Sequence, residues 1–131
     1  KTVPPFACSS LPMRRRLVTD LTTNEVLYTM ESDAGEFGGA SLARLEEIDL
    51  DLGYTLRKRY RIIETDPLSA QTEFEQTTLL RRGDWSVRIE CRTRLSGTID
   101  TFQFAGDLVV YEGDETVVRR DWTIAIPRAL V

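Results

Sequence analysis

WSVRIECRTRL, Trp85 to Leu95, alternates over its whole length. Trp85, Val87, Ile89, Cys91, Thr93 and Leu95 fall on one side of the alternation; Ser86, Arg88, Glu90, Arg92 and Arg94 fall on the other. A strand sends successive side chains to opposite faces, so this segment reads as a strand with a dry face and a charged face. Either the arginines bind something or they face water.

The same period recurs outward in both directions. Arg14 to Asp20 is a first run, closed by LTTNE as a turn, and Glu25 to Glu31 follows with Val26, Tyr28 and Met30 on one face. SDAGEFGGAS reads as a loop. In SLARLEEIDLDLG, Leu42, Leu45 and Leu52 suit a short helix while Ile48, Leu50 and Leu52 alternate; the preferred reading is an irregular piece leading into a strand. Tyr54 to Ile63 sets Tyr54, Leu56, Tyr60 and Ile62 against Thr55, Arg57, Arg59 and Arg61, with Lys58 interrupting the apolar side. Asp66-Pro67 signals a turn. Ala70 to Leu80 follows with Phe74 inward, then RRGD as a turn. Beyond Trp85 to Leu95, Ser96-Gly97 signals a tight hairpin. Ile99 to Tyr111 then shares a face among Phe102, Phe104, Leu108 and Val110. After Glu112-Gly113-Asp114, Thr116 to Ile126 aligns Val118, Trp122, Ile124 and Ile126, with Arg119 and Asp121 opposite; Pro127 ends the run.

Short connections from Tyr54 onward force neighbouring strands to pair antiparallel. The sequence therefore predicts an all-β antiparallel meander of six or seven long strands over residues 13–131, curled into a half-barrel or open barrel or folded as a sandwich, with little helix. Residues 1–12, with Pro4, Pro5 and Pro12, read as a linker or arm. A hairpin closing at Ser96-Gly97 puts Cys91 opposite Phe102 and Ile89 opposite Phe104. A four-residue RRGD turn puts Phe74 opposite Cys91 and Glu73 opposite Arg92, with Glu75 diagonal to it. On this register the arginines have carboxylate neighbours, and the charged face reads as a solvated or domain-facing surface. A nucleic-acid platform would place aromatics among the arginines, and here they lie on the other face.

Composition narrows the chemistry. The chain has 131 residues, 41% hydrophobic and 29% charged, with a net charge of −4, which gives no bias toward nucleic acid or anionic membrane. No apolar run reaches the roughly 18 residues of a membrane span. The start, KTVPPFACSSLP, has no signal-peptide core, and the absence of an initial Met reads as processing or as a piece of a longer chain. Histidine is absent, which excludes a Ser-His-Asp triad, a Cys-His pair and a His-ligated metal within this chain. Two cysteines make no disulfide framework: Cys91 reads as a buried thiol, Cys8 lies in the arm, and a reducing cytoplasm suits both. Trp85 and Trp122 read as core. Arg14-Arg15-Arg16 reads as a soluble strand edge. Asp49 and Asp51 lack a calcium loop, and the Gly35, Gly38, Gly39 cluster lacks a phosphate-binding helix. No catalytic, cofactor-binding or metal-ligating residue is assigned, and no cofactor is expected.

Several segments, in this order, resemble the C-terminal tail of CocE/NonD-type hydrolases, relatives of the S15 Xaa-Pro dipeptidyl-peptidases. They are RRRLVTDLTTNEVLYTMESD, LEEIDLDLGYTLRKRYRI, DPLSAQTEFEQ, LLRRGDWSVRIECRTRL, FQFAGDLVVYEGDE and RRDWTIAIPRALV, with VPPF like the connector before that tail. Ala129 stands where such endings usually carry Asp. The resemblance implies a parent with a Ser-Asp-His triad in an α/β-hydrolase domain followed by a jelly-roll domain, and this chain beyond both. No triad position maps onto it.

Three hypotheses follow. The first is a non-catalytic accessory β domain of a serine hydrolase acting on peptides, esters or amides. Its partners would be the parent's catalytic domain and a second copy of the chain, with no nucleic acid and no membrane. The second is a lipocalin-like module whose apolar interior, lined by Phe74, Phe102, Phe104, Trp85 and Trp122, holds a small ligand. The third is an enzyme using Glu73 and Glu75, which alternation places on the exposed arginine face, a setting that does not shift acidity strongly.

Overall fold

The computed structural model describes residues 13–33 and 43–129. The arm 1–12 with Cys8, and the loop with Gly35, Gly38 and Gly39, lie outside the described residues. Within them the chain forms β1 (Met13–Asp20), β2 (Glu25–Asp33), β3 (Ala43–Leu45), β4 (Leu50–Ile63), β5 (Asp66–Arg82), β6 (Trp85–Gly97), β7 (Thr101–Glu112) and β8 (Glu115–Pro127). One 3-10 turn, Glu46–Ile48, joins β3 to β4, the irregular piece expected there. Every ladder is antiparallel. The order across the sheet is β1-β2-β4-β5-β6-β7-β8, with β3 beside β4. Because β2 pairs with Thr55–Ile63 and β3 with Leu50–Leu52, β3 extends the row that β2 begins. The sheet is open, with β1 and β8 as its edges. The all-β meander is thus one unclosed sheet of seven long strands and one short one, and it encloses no barrel interior.

Turn chemistry sets the register. Gly83 and Gly113 take φ of +56° and +57°, the left-handed conformation that a two-residue hairpin asks of its first position. Arg82 therefore pairs with Trp85, and Glu112 with Glu115. RRGD is not a four-residue turn: both of its arginines belong to β5, so Phe74 meets Thr93 and Cys91 meets Gln76. Ser96-Gly97 is not a turn either. Thr98 opens the next loop: its backbone N–H donates to the Thr101 carbonyl at 2.8 Å and its Oγ1 accepts from the Thr101 N–H at 3.1 Å. Gly97 then stays in the ladder opposite Phe102, and Cys91 meets Leu108. Asp66-Pro67 starts β5 instead of turning. Pro67 fits there because the β4 ladder skips from Ile63–Asp66 to Arg61–Gln71 and the β6 ladder begins only at Gln71, so no partner needs its missing N–H. Both register shifts are even, so the two faces keep the residues that alternation assigned them.

The apolar face is nonetheless not a core. Among the described residues only one hydrophobic side chain, Val109, is buried, and it lies on the charged face between its partners Glu90 and Arg119. Trp85 and Trp122, expected in the core, are 39% and 43% exposed, and Cys91 is half-buried. The parity of these residues is as expected. No second layer of described residues covers them. Lys58, which interrupts the apolar face, holds its ammonium 5.4 Å from the centre of the Phe74 ring across the β4–β5 ladder. Trp122 lies against Gly106, where an added Cβ would come within 3.5 Å of the indole.

Gly83→Ala should destabilise the chain by about 1–2 kcal/mol, the cost of a Cβ in the left-handed conformation. No atom lies within 4 Å of that Cβ position, so the loss is conformational and not steric. Urea melts measure it, and Asp84→Ala should change little.

Candidate functional site

Two surfaces carry chemistry. The first is the charged face, where strand register turns alternating arginines and glutamates into a lattice. Glu73 on β5 receives Arg59 from β4 at 3.2 Å and Arg94 from β6 at 2.6 Å. Glu75 receives Arg57 at 3.6 Å, Arg59 at 3.9 Å and Arg92 at 3.3 Å. Glu31 and Glu25 on β2 hold Arg57 and Arg61 at 3.1 and 2.6 Å. Arg88 bonds Glu90 and also lies 4.2 Å from the Tyr111 ring centre. Farther along β4, Asp51 takes Arg81 at 3.1 Å and Arg44 at 2.7 Å, and Arg44 also reaches Asp49. Asp49 and Asp51, which lack a calcium loop, share Arg44.

This arrangement decides what the carboxylates can do. Desolvation pushes the Glu73 carboxyl up, but the hydrogen bonds and charges of Arg94 and Arg59 outweigh it and hold Glu73 below the usual glutamate range. The Arg44 hydrogen bond, helped by Arg81, likewise lowers Asp51 against its desolvation. A carboxylate kept ionised by guanidiniums on both sides is a poor proton donor. The arginines beside Trp85–Leu95 therefore meet carboxylates of their own sheet. Each exposed pair contributes modestly, and the network fixes register and keeps the face soluble.

The second surface is a groove of about 410 Å³ at one end of the apolar face, where β2, β4, β5, β6 and β7 come together. Val26, Tyr28, Tyr60, Ile62, Leu68 and Phe102 line it, with Arg128 at its border. Tyr28 and Tyr60 lie tilted against each other with centroids 5.9 Å apart and form the aromatic wall of the groove; beyond it, Phe74 meets Tyr60 edge-on at 5.8 Å. Arg128 follows Pro127 at the end of β8 and returns across the β6–β7 loop. Its backbone N–H donates to the Asp100 carbonyl at 2.8 Å, and its Nη1 donates to the Thr98 carbonyl at 3.0 Å. The guanidinium lies 4.9 Å from the Phe102 ring centre. Its Nε is buried without a hydrogen-bond partner, a condition that costs about 1–3 kcal/mol. Sequence reading passed over Arg128, since its one signal was a cation just beyond an apolar strand. Of the residues proposed to line an interior, only Phe102 borders this groove; Trp85 lies at the other end of β6, bonding Glu112 at 3.0 Å.

Among the described residues no group of thiols or carboxylates is spaced to hold a metal ion, and no helix is long and apolar enough to cross a membrane.

The lattice makes a pH prediction. A carboxylate whose folded pKa is depressed contributes stability above its unfolded value and loses it as pH falls through the folded one. Stability should therefore decline as pH drops below the ordinary glutamate value of 4.5. Glu73→Gln should lose about 0.2–1 kcal/mol at pH 7 and show a shallower acid decline. Thermal melts between pH 7 and pH 3 check both.

Comparison with protein-family models, curated proteins and solved structures finds no match to this chain.

Proposed function

We propose that the chain is a non-catalytic C-terminal accessory β domain of a CocE/S15-like α/β-hydrolase acting on peptides, esters or amides. In this reading it packs on, or assembles, the catalytic body in a reducing cytoplasm. The observation that carries the reading is the uncovered apolar face. Trp122, Ile124 and Ile126 on β8 are 43%, 47% and 47% exposed, and Phe74, Trp85 and Leu95 on the inner strands are 37%, 39% and 38% exposed. Contiguous exposed apolar surface marks a contact site, and burying it is worth roughly 25 cal/mol per Å². The opposite face largely satisfies its own charges, so the apolar side is the one with affinity to offer. The lack of histidine supports a triad that resides elsewhere, and the ordered motifs described above supply the hydrolase assignment. The free thiol of Cys91 suits a reducing compartment.

Cys91 lies on the apolar face, half-buried, and serves as a reporter of cover. In a Cys8→Ser background, iodoacetamide should alkylate Cys91 in the free chain and do so more slowly once the hydrolase body is added, with the two co-eluting in size exclusion. The free chain should turn over neither p-nitrophenyl esters nor Xaa-Pro nitroanilides. Turnover that follows the protein peak through repurification, or an unprotected Cys91 with no co-elution, would sink the reading. Protection by a second copy of the chain alone would replace the hydrolase body with a homodimer.

A further inference from the structure

We propose that the groove bordered by Arg128 binds an alkyl carboxylate, its chain on the aromatic wall and its head on the guanidinium. The inference goes beyond the docking reading and needs no hydrolase body. Arg57, Arg59, Arg61, Arg92 and Arg94 on the charged face each meet a carboxylate of the sheet. Arg128 meets none among the described residues: its partners are the Thr98 carbonyl, through Nη1, and the Phe102 ring. That leaves its positive charge without a carboxylate among the described residues, at the border of an apolar groove. A guanidinium so placed attracts a carboxylate through its charge and through charge-assisted hydrogen bonds.

The surroundings select the rest of the ligand. A hydrophilic anion would gain nothing from Val26, Ile62 and Leu68, whereas an alkyl chain buries itself against them and across the faces of Tyr28 and Tyr60. A volume near 410 Å³ falls in the range of small-ligand sites, roughly 300–1,000 Å³. The guanidinium is already oriented by the Thr98 carbonyl and the Phe102 ring, so little side-chain freedom is left to lose on binding.

Isothermal titration of the whole chain with dodecanoate and with dodecanol tests the proposal. Dodecanoate should bind at least about tenfold more tightly than the alcohol, the factor expected for a charge-assisted hydrogen bond. Arg128→Gln should reduce dodecanoate to the level of dodecanol and leave dodecanol unchanged. Leu68 is 44% exposed, so Leu68→Glu keeps the fold and sets a negative charge at the groove; it should weaken dodecanoate by a similar factor even if Arg128→Gln fails to fold. No dodecanoate binding to the unmodified chain overturns the proposal. Equal affinity for acid and alcohol, or unchanged dodecanoate affinity in either folded variant, does so as well.

Discussion

The backbone ladder running from β1 to β8 holds this molecule together, because side-chain burial among the described residues does so little of the work. An antiparallel sheet of this breadth satisfies the N–H and C=O groups of its inner strands, and each such bond adds a modest net stability. What it lacks among the described residues is the second layer that usually makes a sheet independently stable. The half-exposed tryptophans, isoleucines and phenylalanines recover only part of the roughly 1.5–3 kcal/mol available to a fully buried large apolar side chain. The rest is available to whatever covers that face.

The two faces solve different problems. On the charged side, long arginine and glutamate side chains span neighbouring strands and satisfy one another, with Glu73 and Glu75 on β5 each reaching arginines of β4 and β6. A slip of one residue between β5 and β6 would exchange those pairs for apolar residues against charges, so the lattice and the apolar row specify the same register parity. On the apolar side, Lys58 is tolerated because its ammonium sits over Phe74, and Gly106 is tolerated because Trp122 covers it.

The edges and the groove are where this economy leaves something over. β8 is exposed along its full length, yet its end turns back so that Arg128 reaches the β6–β7 loop. That return ties the edge strand to the neighbouring hairpin and brings a cation with no carboxylate among the described residues to the groove walled by β2 and β4. Docking through the broad face and ligand binding at its end make separate demands on the sheet, and variants of Arg128 and measurements on Cys91 address them separately.

The sequence by itself determined the strands and their two faces. The period of two in Trp85–Leu95 and its neighbours is local, and side-chain alternation follows directly from extended backbone. It also excluded histidine chemistry by composition. Only the tertiary structure decided the registers, because a turn of two residues at Gly83-Asp84 or a loop at Thr98–Asp100 depends on backbone conformation and hydrogen bonds that alternation does not encode. Only it decided that Trp85, Trp122 and Cys91 are partly exposed, since parity says which residues share a face and not whether anything covers that face. That Arg128 lines one groove with Tyr28 and Tyr60 was illegible for the same reason: residues so far apart in sequence come together only through the order of strands in the sheet.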